Sequence, residues 1–230
     1  MTEILILVPT PSERRILAPL LQSHIQQVGG TLHLCGFGPV AAAARTSQLI
    51  AELRPTRIIL VGIAGAIGGS LPVGSASLFD EVACFGIGAG SGEDFQTASQ
   101  LGWSQWNSGS DKGSEGRSVG GDVLPLLSAQ VESLSSEPVE RRQLLTCCSA
   151  SDGLDDVASK VRSFPNAVAE DMEAFGVAMA ASLMDVPVQV VRGISNNAGD
   201  RRLSLWKINE ALEAAAEVVL KLIAGDSPAD

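Results

Sequence analysis

The chain has 230 residues, 45% of them hydrophobic and 18% charged, with a formal net charge of −10. Such a composition is globular and excludes wholesale disorder, while the negative charge disfavours phosphate backbones and anionic lipid, so neither nucleic acid nor a membrane is an expected partner. The four cysteines (Cys35, Cys84, Cys147, Cys148) show no CxxC spacing and only two histidines accompany them. A metal site or disulfide framework is therefore not expected, and reduced thiols in the cytoplasm are the default.

The opening MTEILILVPTP lacks the basic lead of a signal peptide and is too short for one. Nowhere does an apolar run approach the ~20 residues of a membrane span. Ile4–Val8 reads as a buried strand closed by Pro9 and Pro11, and Ser12 as the cap of a helix from Glu13 to about Gln27. Leu32–Phe37 is a second strand, and an alanine-rich helix over Val40–Leu53 is stopped by Pro55. Arg57–Val61, β-branched and apolar, reads as a central strand that breaks at the glycine-rich run 62–69. Ser75–Ala83 holds one or two more strands.

The polar, Gly- and Ser-rich stretch 86–121 reads as a long functional loop. After it come a strand at Gln143–Cys148, a short helix at Val157–Phe164, an extended segment at Ala167–Glu170 and a helix at Glu173–Met184. A strand follows at Val188–Val191, then an amphipathic helix at Trp206–Ile223, and residues 225–230 read as a frayed tail. Alternation of strands and helices predicts one α/β domain over 1–230, a three-layer α-β-α sandwich around a mixed, largely parallel sheet.

Ligands of open α/β sheets collect at the carboxyl ends of strands. Four polar segments fall there: Pro9–Glu13, Gly62–Gly69, Cys148–Gly153 and Arg192–Asp200. There is no GxGxxG, no GxxxxGK[ST] and no GxSxG elbow, so dinucleotide, ATP and Ser-His-Asp chemistry lack support and no cofactor is suggested. Two carboxylates stand out, Glu13 and Glu173. Each also suits a helix start, where an acid complements the dipole.

Taken in order, Val8–Glu13, Val61–Gly65, Glu170–Phe175 and Val190–Asn196 resemble the purine nucleoside phosphorylase and nucleosidase superfamily. That likeness implies cleavage of an N-glycosidic bond. Glu13 would be general base, Met172 and Glu173 would hold ribose, Ala64, Gly65 and Ser151 would line the nucleoside site, and Asn196 would meet the purine. It also implies a homo-oligomer. Within the superfamily, Arg192–Arg201 followed by Trp206–Asn209, together with Gly62–Gly65 and the Gly92–Trp103 stretch, is similar to the futalosine hydrolases. Their substrate is a 6-oxopurine nucleoside of menaquinone formation. Under this resemblance Phe95 and Phe175 are candidates to pack on an aromatic 5′ tail, although phenylalanine is more often core. Arg201 and Arg202 are candidates by position for its carboxylate.

Water is favoured over phosphate as attacking group because the places where related phosphorylases put an Arg and a hydroxyl hold Leu60 and Ile63, and phosphate wants forked donors. An Asn at 196, where adenosine-type relatives carry Asp, suits the acceptors of a 6-oxopurine. An amide is a poor proton donor, so the proton for the leaving purine is assigned to Asp200 or water. A methylthioadenosine or S-adenosylhomocysteine nucleosidase, a phosphorylase, and a non-catalytic purine binder remain the alternatives.

Overall fold

The structure is a computed structural model that describes residues 2–106, 121–127 and 142–225. Much of the expected 86–121 loop and nearly all of the tail therefore lie outside the described residues. In chain order the elements are β1 (Ile4–Val8), α1 (Pro11–Gln27), β2 (Thr31–Leu34), α2 (Pro39–Leu53), β3 (Arg57–Ala66), β4 (Ala76–Phe79), β5 (Glu81–Phe85), β6 (Gly88–Ala89), β7 (Gln96–Thr97), β8 (Val123–Pro125), β9 (Gln143–Cys147), α3 (Leu154–Ser163), β10 (Ala167–Asp171), α4 (Ala174–Leu183), β11 (Val188–Asn197) and α5 (Ile208–Ala224).

Nine of these strands form one sheet in the order β2-β1-β3-β10-β9-β5-β8, with β11 between β3 and β4 on a branch. Most pairings are parallel; β10 on β3, β11 on β4 and β8 on β5 are antiparallel. Because strand side chains alternate between faces, β1 feeds two cores. Leu5 and Leu7 join α2 and α4 on one face, while Ile4, Ile6 and Val8 join α1 and α5 on the other. This gives the expected three layers. Two glycines let helices approach closely. A Cβ on Gly176 would run into the backbone of Pro39 in α2, and one on Gly193 into that of Ala211 in α5.

The structure corrects the sequence reading at three places that matter for the site. Thr10, not Ser12, caps α1: its hydroxyl accepts from the Glu13 N–H and the Glu13 carboxylate accepts from the Thr10 N–H, a capping box with Pro11 in the first turn. Strand β3 does not break at Gly62 but runs on to Ala66, and β11 runs on to Asn197. Glycine content suggested loops, but the two strands pair along their whole length, Val188 with Ile58 through to Asn197 with Ala66, and tertiary pairing overrides local preference. Finally, β8 is a strand the sequence did not announce. Among the described residues no helix is long and apolar enough to cross a membrane.

Candidate active site

The long strand β3 changes partner halfway. Its first half pairs with β1, ending at Leu7 opposite Leu60. Beyond that, the same edge is taken by β10, which begins at Gly65 and Ala66. Residues 61–64 thus present an edge without a neighbouring strand, and buried backbone donors there need other partners. The N-terminal turn of α1 fills the gap. Glu13 Oε1 accepts from the Ile63 N–H at 3.0 Å, while Oε2 accepts from the Thr10 N–H at 3.0 Å and the Thr10 hydroxyl at 2.6 Å. Although Glu13 is only 6% exposed, its carboxylate is fixed on both oxygens.

On the other side of β3, Arg192 stands level with Gly62. Having no side chain, Gly62 lets the two charged groups converge above it: a Cβ there would lie 2.7 Å from Glu13 Oε1 and would overlap Arg192 Nη1. Arg192 is completely buried. Asp171 grips it through Nε at 3.1 Å and through a short contact to Nη2, and Glu173 accepts from Nη2 at 3.3 Å. Burial works against the Arg192 charge, but Asp171, Glu173 and Glu13 outweigh it and keep the guanidinium protonated. Its Nη1 has no hydrogen-bond partner in the protein, which is unusual for a buried donor and calls for an acceptor. Asp171 is itself anchored, accepting from the Thr146 hydroxyl at 2.6 Å and the Ala174 N–H at 2.9 Å.

Glu173 immediately precedes α4 but its side chain makes no cap to that helix; its Oε1 accepts instead from the Gly38 N–H at 3.1 Å, at the start of α2. Gly38 has φ 85°, the left-handed region that glycine enters without strain. Burial pushes the Glu173 carboxyl up, Arg192 pulls it down and Asp171 pushes it up again, leaving it at about 7.

Glu13, Asp171 and Glu173, with the fully buried Arg192 behind them, line a cavity of about 530 Å³ whose wall also includes Ala64, Gly65, Met172 and Asn196; Glu13 and Glu173 with those four make six of the residues singled out in the sequence. Asn196 Oδ1 accepts from the Ser195 hydroxyl at 2.7 Å, and Nδ2 donates to the carbonyls of Asn197 at 2.8 Å and Asp200 at 3.4 Å. The carbonyl contacts fix which end of the amide is which. The far wall is the segment after β11, with Arg201, Leu203 and Trp206, faced by Arg15 and Ile16 of α1. The Arg201 guanidinium lies 5.2 Å from the Trp206 ring centre.

Four expected residues stand elsewhere. Asp200 is held by Arg202, at 2.7 Å and 2.9 Å between side chains, and these bonds with the Arg202 N–H lower its carboxyl to about 2. So ionised, it has no proton to give near neutrality, and Arg202 is occupied as well. Phe175 belongs to the core between α4 and the sheet, the ordinary fate of an apolar residue in the first turn of a buried helix. Phe95 packs against Phe85, the rings tilted at 45° with centroids 4.8 Å apart. Ser151 is fully buried behind the wall, donating to Glu170 from its N–H at 2.9 Å and its hydroxyl at 2.6 Å; its neighbour Ala150 lines the cavity instead.

The sequence reading passed over Arg192, Asp171 and Glu170 as site residues. A signal existed: Arg192 directly follows Val190 and Val191 on a β-branched strand, and a charge on such a strand demands a buried partner. Among the described residues no group of three or more His, Cys, Asp or Glu is arranged to hold a metal ion.

Comparison with known proteins places this geometry in a family. Residues 21–224 match the family model described as Phosphorylase superfamily. A futalosine hydrolase of Streptomyces coelicolor is 31% identical over 209 residues, covering 89% of this chain and 83% of that protein. A 5′-methylthioadenosine/S-adenosylhomocysteine nucleosidase of Haemophilus influenzae is 29% identical over 83% of this chain and 76% of its own. Among solved structures, the corresponding nucleosidase of Neisseria meningitidis in complex with methylthio-immucillin-A superposes with a TM-score of 0.71 at 18% identity, covering 98% of this chain and 100% of that one. That of S. pneumoniae with a transition-state inhibitor gives 0.70 at 23%, covering 96% and 98%. With a family match spanning most of its length and a relative above 30% identity, the chain belongs to the phosphorylase superfamily.

Proposed function

We propose that this chain hydrolyses the N-glycosidic bond of futalosine, releasing hypoxanthine and dehypoxanthine futalosine. The observation that carries hydrolysis is the convergence of Glu13 Oε1 and the unpartnered Arg192 Nη1 over Gly62. A carboxylate acceptor and a guanidinium donor at one point suit a water molecule, which the donor orients and the carboxylate deprotonates as it attacks C1′. Glu173 accepts from the ribose hydroxyls and its negative charge offsets the oxocarbenium charge that develops as the bond breaks. The purine lies toward Asn196, whose Oδ1 has a lone pair beyond the Ser195 bond for an N7–H. With Asp200 tied to Arg202, the proton for N7 arrives through solvent.

Phosphate would need donors at positions 60 and 63 of β3, where related phosphorylases are expected to carry them. Leu60 is core and Ile63 offers a side chain without donors, so water is the better fit. For the 5′ tail of futalosine, Trp206 offers a ring and Arg201 and Arg15 offer charge for its carboxylate. This reading goes with a single-domain cytoplasmic homo-oligomer acting on a small nucleoside.

The test is mass spectrometry of products from futalosine with and without phosphate. Hypoxanthine with free dehypoxanthine futalosine, independent of phosphate, is the expected result; a 1-phosphate product would mean phosphorolysis. A second reading, methylthioadenosine/S-adenosylhomocysteine nucleosidase, draws on the Haemophilus influenzae relative. Faster release of adenine from those substrates than of hypoxanthine from futalosine would install it.

A further inference from the structure

A second cavity, of about 410 Å³, lies beside β8, the last strand in the order of the sheet, and shares no lining residue with the cavity of Glu13 and Glu173. The proposed reaction gives it no task. Its wall holds two polar side chains that are each only 4% exposed, Asp122 and Gln143. Asp122 Oδ2 accepts from the Ser99 N–H at 3.0 Å, and the Asp122 N–H donates to the Ser99 hydroxyl at 3.4 Å. Asp122 Oδ1 has no partner among the described residues. Gln143 Nε2 donates to Glu81 Oε1 at 2.7 Å, between facing positions of β9 and β5. A carboxylate can only accept, so this bond fixes which end of the amide is which. Gln143 Oε1 is left without a partner as well. Nearly all buried polar atoms of folded proteins are paired, so two orphaned acceptors in one cavity wall ask for a ligand that donates.

We infer that this cavity is a binding site for a small organic ammonium compound, whose N–H groups donate to Asp122 and Gln143. The rest of the wall selects a cation over a neutral donor. Ser163, Phe164 and Pro165 form the C-terminal end of α3, the negative pole of the helix, where positive charge is favoured. Pro165 has no N–H to compete for the acceptors, and Glu81, bonded to Gln143, adds a second carboxylate. A carboxylate held out of water without a cation is costly, and a bound ammonium offsets that cost. The wall also selects an organic cation over a metal ion. A hard metal ion wants about six to eight oxygen ligands and would occupy little of this volume. Val123, Phe164 and Pro165 instead offer apolar surface to a hydrocarbon body. The site is independent of the nucleoside reading, because neither its residues nor its chemistry enters the cleavage step.

The experiment titrates methylammonium, benzylammonium and phenethylammonium chlorides into the full chain at constant ionic strength, with benzyl alcohol as the uncharged counterpart of benzylammonium. The readout is the backbone amide NMR signals of Ser99, Gly121 and Val123. Benzylammonium should shift them saturably and bind about tenfold or more tightly than benzyl alcohol, the scale of one buried hydrogen bond to a charge. Asp122→Asn should weaken benzylammonium by a similar factor and leave turnover at the Glu13 site unchanged. Its single amide oxygen stays with the Ser99 N–H, so an NH₂ group stands where Oδ1 was and meets the ammonium donor to donor. No saturable shift from any of the three ammonium compounds overturns the proposal, as does equal binding of benzylammonium and benzyl alcohol. Calcium chloride saturating the same signals where the ammonium compounds do not would make this a metal site and likewise overturn it. Should the variant fail to fold, the wild-type comparison of ammonium with alcohol decides. The readout is binding rather than turnover, so a chain that leaves futalosine intact leaves this test standing.

Discussion

Replacing Asp171 by Asn removes one charge from the most buried ion pair of the site and keeps the shape. Both side chains are completely inaccessible. Asp171 receives two donors from Arg192, one from Thr146 and one from Ala174, so the substitution leaves a guanidinium in the interior with only the more distant Glu173 and Glu13 to balance it. Breaking a buried pair by removing one partner costs about 3–5 kcal/mol. For a chain of this length each kcal/mol lowers the melting temperature by about 2–4 °C, so the fall should be about 6–20 °C. The assay is urea and thermal unfolding of wild type, Asp171→Asn, Arg192→Met and the double variant. The double variant should recover about 2 kcal/mol of the loss in Asp171→Asn, since removing both charges removes the unpaired one. Turnover should stay lost in every variant lacking Arg192. A loss below about 1 kcal/mol for Asp171→Asn, or no recovery in the double variant, would refute the reasoning that the pair is desolvated and mutually dependent.

Other outcomes follow from the same geometry. Glu173, lifted to about 7 by burial against the pull of Arg192, should give kcat a limb that rises with pH through that value, because only the anion offsets the oxocarbenium charge; Glu173→Gln should lack the limb. The sign for stability is opposite. Between the ordinary 4.5 and about 7 the folded state holds a proton that the unfolded state has released, so this group's contribution falls as pH rises across that window, and urea midpoints measured across it should show the decline. Gly62→Ala places a methyl group 2.7 Å from Glu13 Oε1 and 3.0 Å from Pro9 Cδ, and should reduce turnover by about 10²–10⁴, the worth of a general base, in single-turnover assays. Arg201→Met keeps the apolar stem against Trp206 and should raise KM for futalosine about tenfold, the value of a charged hydrogen bond, while leaving inosine, which has no carboxylate, unaffected in steady-state kinetics.

Much of the frame was legible because it depends on local rules. The apolar runs of β1 and β3, the prolines around α1 and α2, and the periodicity of α5 appear in the structure within a few residues of where the sequence suggests. What was misread depended on contacts distant in sequence. Gly62–Ala66 looks like a turn by composition, yet pairing with β11 keeps it extended. Glu13 reads in the sequence as a helix start and as a candidate base; the structure places it in the first turn of α1, with the capping box pointing its carboxylate at β3. The Asp171–Arg192 pair spans two strands separated by α4, and nothing near either residue announces the other. Asp200 is the local exception, since its captor Arg202 stands only two residues on, and Phe175 looked available because nothing in the sequence tells which side of α4 faces the cavity.

The change of partner along β3 also orders events in time. The half of β3 next to β1 lies about fifty residues from its partner, whereas β10 and β11 arrive more than one hundred residues later in the chain. Contacts of such long separation carry the larger loop-closure entropy and form late. Glu13 is thus oriented by a helix cap that four neighbouring residues complete, while Arg192 reaches it only when the last strand docks. A refolding chain should regain its helical signal ahead of its turnover, with Glu13 waiting for its cation.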